Sequence, residues 1–465
     1  MNISRSIASA RGLRAEDAAL AAQLVKVWQQ KRTRNQLRSR YYEMHKKPRD
    51  LGISTPPKLR NLEQVIGWSA KAVDYLADRS QFDGFVCDDA ENDAFLQKVV
   101  RKNGLVGAYR KACISELTHS CSFLTVTSMN DEPIIRAYPA TASAAIWDYE
   151  KNRIKAGLVV VDFNHKTSAV EPSWVNVFTD DNVIQIMLTA EGWQAQYIPH
   201  SMGRCLIEPL AYSATLERPF GKSRISRAVM NITDDAMRAA IRSEISSEFF
   251  TAPQKFLLGA DAEALDGLSK WDAYIGNLFA VSRDENGETP EFGQLPQGSM
   301  QPHIDYMRSL AARFSGETNV PISSLGIVSD NPSSAEAIYA AKEDMVIDAQ
   351  NLNADNGEAL RNVALMALAI KEKKSFAQIN DEVGILQTKF KNPAMPSLVS
   401  QSDAMIKMVT AMPWMAGSDV ILEELGFSDD KIQRLKTDRA KESSRMLLNL
   451  AAAQAKQMES SNEVD

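Results

Sequence analysis

The chain has 465 residues and a mass of 51.5 kDa, with 44% hydrophobic and 24% charged residues, an ordinary globular balance with room for about two to four domains and a buried core. No N-terminal run joins a basic start to an apolar stretch, and the longest strongly apolar segment, Val363 to Ile370, is far short of the roughly 20 residues that cross a bilayer, so a soluble, unsecreted protein without membrane contact is expected. The net charge of -6 is unevenly spread: residues 1 to 60 carry 14 Lys/Arg against four acids, the rest 39 basic and 55 acidic residues.

That polarity suggests an N-terminal arm that meets an acidic partner, with a solvated basic helix as the plainer alternative. The body carries no excess of positive charge with which to grip nucleic acid. Cys87, Cys113, Cys121 and Cys205 show no Cys-x-x-Cys spacing, which argues against a disulfide framework or a zinc site and for buried free thiols.

In chain order, Leu20, Leu24, Val27 and Trp28 recur at helical spacing and predict an amphipathic helix from Arg14 to Tyr42 whose C-terminal half is strongly basic. Pro48 and Pro56-Pro57 break the chain before a second predicted helix, Asn61 to Leu76. Short helices follow at Asn92 to Lys102 and Leu105 to Thr118. The period then becomes that of strands: Phe123 to Thr127, Pro133 to Tyr138, Ala144 to Tyr149, Ala156 to Phe163, Trp174 to Thr179, Val183 to Thr189 and Trp193 to Pro199. Hairpins are expected at Glu150 to Asn152 and Glu191-Gly192. Together these elements make one mixed α+β domain over roughly residues 61 to 215.

Helix returns over Ser223 to Phe250 and again over Gln301 to Phe314. The two bracket an insert, Thr251 to Ser299, with strand-like pieces Lys255 to Leu258 and Leu278 to Val281. Residues 319 to 334 read as a loop. A long helix is expected from Ser334, capped by Ser333 with Glu336 or by Asn331 with Pro332 at its first position. The Asn-rich run Asn351 to Gly357 predicts a kink or break before the apolar stretch Leu360 to Ile370. From Leu398 the pattern is helical, with a turn at Pro413 and Gly417, a last helix opened by Ser428-Asp429-Asp430, and a disordered tail after Lys456.

Catalytic chemistry is sought and not found. Gly221-Lys222-Ser223 precedes a helix, but a phosphate-cradling loop needs Gly where Leu216 stands, so Gly221 reads as a turn. No two of the five histidines have the spacing of a helical metal pair. His119 and Cys121 form only a weak base-and-thiol candidate. The pairs Asp88-Asp89, Asp180-Asp181 and Asp234-Asp235 suit turns and helix starts better than a nuclease metal site. No catalytic residue, metal or cofactor is assigned.

The stretch from Glu217 to Met345 resembles the phage portal family, especially portals of long-tailed siphophages. The resemblance is carried by Arg218-Pro219-Phe220-Gly221-Lys222-Ser223-Arg224-Ile225, by Thr251-Ala252-Pro253-Gln254-Lys255-Phe256, and by Gly298-Ser299-Met300-Gln301-Pro302-His303. A fourth block runs from Thr318-Asn319-Val320-Pro321 through Leu325-Gly326 to Ser329-Asp330-Asn331-Pro332-Ser333-Ser334-Ala335-Glu336-Ala337. The resemblance implies an α+β portal fold assembled as a dodecameric ring, with a mixed α/β wing, a helical stem, a small β-containing clip and a helical crown. By position, an N-terminal arm and wing would be 1–222, the stem 223–250 and 301–317, the clip 251–300, and the tunnel-loop region 318–334. A wing helix and return strand would follow over 335–395, then the crown and C-terminal tail over 396–465.

The same resemblance implies a noncatalytic channel in the virion, assembled in the host cytoplasm. Double-stranded DNA would pass through it without sequence-specific contact. Its partners would be the terminase large subunit, a head-tail adaptor, and the major capsid and scaffolding proteins. Val328, Ser329, Asp330, Asn331, Pro332 and Ser333 would form the tunnel loop, which carries no cation to hold phosphates; a helix-capping turn is the plain alternative. On the first stem helix Asp234, Arg238 and Arg242 stand at i, i+4 steps and Glu244 and Glu248 form a second pair. These five would face neighbouring subunits, line the channel, or simply be solvated. The competing readings are a nucleic-acid-processing enzyme with a basic arm and another virion morphogenesis protein.

Overall fold

The computed structural model describes residues 3–47, 63–164, 171–251, 255–258, 291–294, 298–327, 342–394, 398–427 and 429–462. The chain divides into two units, Met1–Pro393 and Ala394–Asp465. In the first, a short helix α1 (Ile3–Ala8) leads into the long α2 (Ala15–Tyr42), whose first turn holds Glu16 and Asp17 and whose last holds Arg40, matching the helix dipole. Then come α3 (Trp68–Ala77), β1 (Phe82–Cys87), α4 (Ala90–Asn103) and α5 (Leu105–His119). Seven strands follow: β2 (Cys121–Met129), β3 (Glu132–Pro139), β4 (Ser143–Asp148), β5 (Arg153–Asn164), β6 (Glu171–Phe178), β7 (Asn182–Thr189) and β8 (Gly192–Pro199). β9 (Ile207–Ala211) closes the region.

β4 to β8 form an antiparallel meander in sequence order, while β2 lies between β3 and β9 in a second antiparallel sheet. The meander has its own core. Ile7, Leu24, Val25 and Trp28 of the N-terminal helices close over Leu158, Val160, Val175, Val177, Ile184 and Ile186, the apolar stripe meeting one face of alternating strands. Trp28 Nε1 donates to the Thr141 carbonyl at 2.8 Å and Asn35 Nδ2 to that of Ala140 at 3.0 Å, which fixes the helix against the β3–β4 connection. Arg11 bonds to the backbone of Trp193 and Ala195, covering the outer edge of β8.

Next come α6 (Arg227–Thr251), β10 (Lys255–Leu258), β11 (Glu291–Gln294) and α7 (Gln301–Thr318). β10 and β11 pair antiparallel, so a β-containing insert does sit between two helices. The strand-like piece 278–281 lies outside the described residues. α6 and α7 meet through Ala236, Ala239, Leu310 and Met307, and Ile66 and Trp68 join that cluster. Here one expectation fails: the second helix starts at Trp68, not Asn61. Val65 is exposed, Ile66 is spent on the α6–α7 cluster, and Trp68 packs against Phe314 with ring centroids 5.3 Å apart and planes tilted by 44°, so these apolar groups do not share one helical face.

α8 (Glu343–Glu372) runs unbroken through the run expected to kink. Asn356 is buried and bonds to Tyr109 and Glu116, and Gly357 faces the strand β12 (Leu386–Phe390), where a Cβ would meet Thr388 Oγ1 at 2.7 Å. The polar and small residues suit close packing, not a bend. From Val363 to Ile370 the helix is buried all round. β12 pairs with β1 and follows α9 (Phe376–Glu382). Neither β1 nor β9 is signalled by the strand periodicity read above.

The second unit is helical: α10 (Leu398–Ala411), a 3-10 turn (Pro413–Gly417), α11 (Asp419–Glu424) and α12 (Asp429–Asn462). The Ser418 hydroxyl caps α11 at the Val420 N–H. α12 continues to Asn462, into the tail expected to be disordered, carried by the Ala- and Gln-rich run before it. No described helix is long and apolar enough to cross a membrane.

Candidate functional site

The segment that feeds α6 is anchored to several elements at once. Gly221 has φ +62°, and a Cβ there would run into the Tyr212 carbonyl, so the turn needs glycine. Ser223 Oγ donates to the Thr118 carbonyl at 2.6 Å, and the Arg224 N–H to that of Leu117 at 2.8 Å. Arg224 itself is buried. Its Nε donates to the Ala72 carbonyl at 2.7 Å, Nη1 to the Tyr212 hydroxyl at 2.7 Å and to Asp348 Oδ2 at 3.3 Å, and Nη2 to the Thr318 carbonyl. One side chain thus ties α3, the turn after β9, the end of α7 and the start of α8. The Ser226 hydroxyl then caps α6 by accepting from the Val229 N–H and donates to Glu317 on α7.

The same node holds both feet of the proposed tunnel loop. Asn319, in a left-handed cap at the end of α7, donates through Nδ2 to Asp348 Oδ2 at 3.2 Å. A 3-10 turn (Ile322–Leu325) and Gly326, φ +84°, lead away, and the chain returns at Lys342 into α8, where Met345 and Asp348 reach Arg224. Val328, Ser329, Asp330, Asn331, Pro332 and Ser333 lie outside the described residues, as do both expected caps near Ser334.

Of the residues expected on the stem, Asp234 accepts from the Tyr41 hydroxyl, which lies 3.0 Å from each carboxylate oxygen, and Arg238 pairs with Asp235 rather than with Asp234. The i, i+4 row of Asp234, Arg238 and Arg242 is therefore no ladder within this chain. Thr233 meets Ser69 at 3.0 Å, so this face of α6 is docked on α2 and α3. Arg242 Nε is buried with no hydrogen-bond partner among the described residues, and Glu244 is exposed. The Glu248 side chain is outside the described residues.

The weak catalytic candidates dissolve into structure. Burial pushes Cys121 up to about 12 and His119 down to about 4, and the His119 ring is held between Ser39 and Ser115. A thiol so protonated is no nucleophile at neutral pH. Among the described residues no group of three or more His, Cys, Asp or Glu is placed to hold a metal. Sequence periodicity gave no sign of Asp348 or Tyr41. Arg224 and Asn319 do lie in the blocks that carry the portal resemblance, though without any indication that they meet.

A two-helix bracket around a β insert, pinned by a buried arginine, is the architecture on which the comparison with known proteins turns. Residues 22–445 match the model of the family described as "Phage portal protein, SPP1 Gp6-like", and the chain belongs to that family. It is a virion component and not an enzyme. The portal protein of Mycobacterium phage L5 is 24% identical over 385 residues, covering 79% of this chain and 77% of that protein. The portal protein of Mycobacterium phage D29 is 24% identical over 399 residues with the same coverage. A chain from the neck of an empty gene transfer agent (GTA) particle superposes with a TM-score of 0.46 at 14% identity, over 81% of this chain and 92% of that one.

Proposed function

We propose that copies of this chain close into a dodecameric ring at one capsid vertex, that double-stranded DNA is driven through its centre by the terminase and later leaves by the same path, and that head-tail adaptors attach to the clip. The observation that carries this reading is the shared anchorage of the α6–α7 pair and of both feet of the 328–341 segment on Arg224 and Asp348. A loop that touches a moving polymer needs rigid feet, and these are tied to an ion pair between the buried Arg224 and the half-buried Asp348. Within the loop, Val328, Ser329, Asp330, Asn331, Pro332 and Ser333 would meet DNA by steric and polar contact, since cations there would hold phosphates by counterion release. In a ring of head-to-tail contacts, Arg242 and Glu244, with Glu248, would pair with the next subunit. Asp234 and Arg238 are engaged within their own chain.

Negative-stain microscopy of the full chain tests the ring: annular particles with a central pore are expected, and a monomer or compact dimer under every condition would overturn it. For the loop, D330K/N331K should leave rings intact and lower the yield of DNA-filled heads. Undiminished filling would reject the loop assignment.

A further inference from the structure

Between α2, β4 and the segment Ser213–Lys222 lies a cleft of about 550 Å³. Lys31, Arg34 and Arg38 enter it from α2 at three- and four-residue spacing, which puts them on one helical face. Arg218 and Lys222 line it from the Ser213–Lys222 segment. Arg38 donates to the His119 carbonyl at 2.9 Å. Among the described residues none of the five cations forms an ion pair with a carboxylate, and one acid, the exposed Glu217, shares the lining. Burial and the nearby Arg34 pull Arg38 down to about 10. Five like charges gathered in one concavity repel each other in this chain alone, and an anion removes that repulsion.

The surroundings decide which anion. Leu216 stands immediately before the lining residues, 95% exposed, at the tip of a turn closed by hydrogen bonds of 3.2 and 2.9 Å between Thr215 and Arg218. Tyr149, in the lining itself, is 68% exposed, and Trp147 and Phe220 are half-buried beside it. A leucine held out on a closed turn gains from burial only against an apolar group. Duplex DNA presents chiefly phosphates on its outside, keeps its apolar base edges within its grooves, and is far wider than a cleft of this volume.

We propose that this cleft docks an acidic peptide segment of another protein chain, its carboxylates against Arg34, Arg38 and Lys222 and an apolar side chain against Leu216 and Tyr149. Guanidinium groups suit the task because they take carboxylates through two parallel hydrogen bonds. Apolar anchors beside desolvated charges are the usual source of affinity in such contacts. The site gives the basic N-terminal helix a defined partner chemistry and does not depend on ring formation.

The test uses the full chain and three fluorescein-labelled probes read by anisotropy at low salt: the peptide Glu-Leu-Glu-Glu-Leu-Glu, hexaglutamate, and a short duplex DNA. The leucine-containing peptide is expected to bind most tightly. R34E/K222E, both at exposed positions, should weaken it at least about tenfold while the thermal unfolding curve stays in place, and L216S should abolish the preference over hexaglutamate. R34Q/K222Q carries the same expectation should the double reversal not fold. Absence of saturable peptide binding, peptide affinity unchanged by either pair, or duplex DNA bound more tightly through the same residues would each overturn the proposal, the last in favour of a phosphate-backbone site.

Discussion

Arg224 and Glu116 are both buried ionisable groups in the first unit, yet their surroundings are opposites. Arg224 is met by two backbone carbonyls, a tyrosine hydroxyl, a carboxylate and a methionine sulfur. Glu116 accepts one hydrogen bond, from Asn356 Nδ2 at 2.9 Å, and its Oε1 has no partner among the described residues. Burial pushes its carboxyl up to about 8. The difference teaches how one interior treats two charges: where acceptors converge it holds a guanidinium as a staple, and where a single amide is offered it keeps the acid protonated. Around Glu116 the chain Ser80, Tyr109, Asn356 works as a neutral hydrogen-bond network joining α5 to α8.

The comparison breaks hardest at the staple. R224M should lower the unfolding free energy of the first unit by about 3 kcal/mol, read by urea unfolding, because three acceptors lose their donor at once and the half-buried Asp348 keeps only Asn319. R224K should recover only part, since an ammonium has three donors and no planar fork. An R224M protein as stable as the parent would mean that the ion pair anchors nothing.

Glu116 should respond to pH rather than to charge loss. Below about pH 4.5 its carboxyl is protonated folded and unfolded alike; as pH rises the unfolded carboxyl ionises while the buried one keeps its proton, so stability falls until about pH 8. E116Q should flatten much of that fall. Some slope will persist, because burial also raises Glu208 to about 7 despite its Arg204 partner, and that group loses stability in the same direction. An unchanged slope in E116Q would place the proton elsewhere.

A smaller effect is expected where α6 leans on α2. Y41F removes the donor to Asp234 and should cost about 1 kcal/mol, together with faster amide exchange in the first turns of α6. Smallest is the thiol contrast: Cys113, Cys121 and Cys205 are buried and Cys87 is partly exposed, so a thiol reagent should label Cys87 first in the native protein. Early loss of the Cys121 thiol would show that the sheet opens more readily than its packing implies.

Much of the architecture was legible along the chain. The 3.6-residue period of Leu20, Leu24 and Trp28 reported a helix that buries one face, and the β-branched and aromatic runs of β2 to β8 reported strands, some of them, such as β2 and β5, buried on both faces. The two helices around a β insert were legible for the same reason. Where a residue serves several elements the signal was lost: Val65 and Ile66 looked helical, and Asn356 and Gly357 looked like a break. The candidate site was half legible, since Arg224 and Asn319 lay in recognisable blocks while Asp348, 29 residues after Asn319 in a polar-looking helix start, carried no mark.

Local periodicity and composition, by themselves, determined most of the helices and the strands β2 to β8 and that residues 1 to 60 are cationic, while the motif blocks between Glu217 and Met345 carried the resemblance to portal proteins. Only the tertiary structure decided where those charges go: that Arg224 is a staple and not a DNA contact, that Asp234 answers Tyr41, and that Lys31, Arg34 and Arg38 share a cleft with Arg218 and Lys222. The physical reason is range. Periodicity is written by neighbours a few residues apart, whereas the partner of a buried charge is chosen by whatever long-range packing brings within about 3 Å.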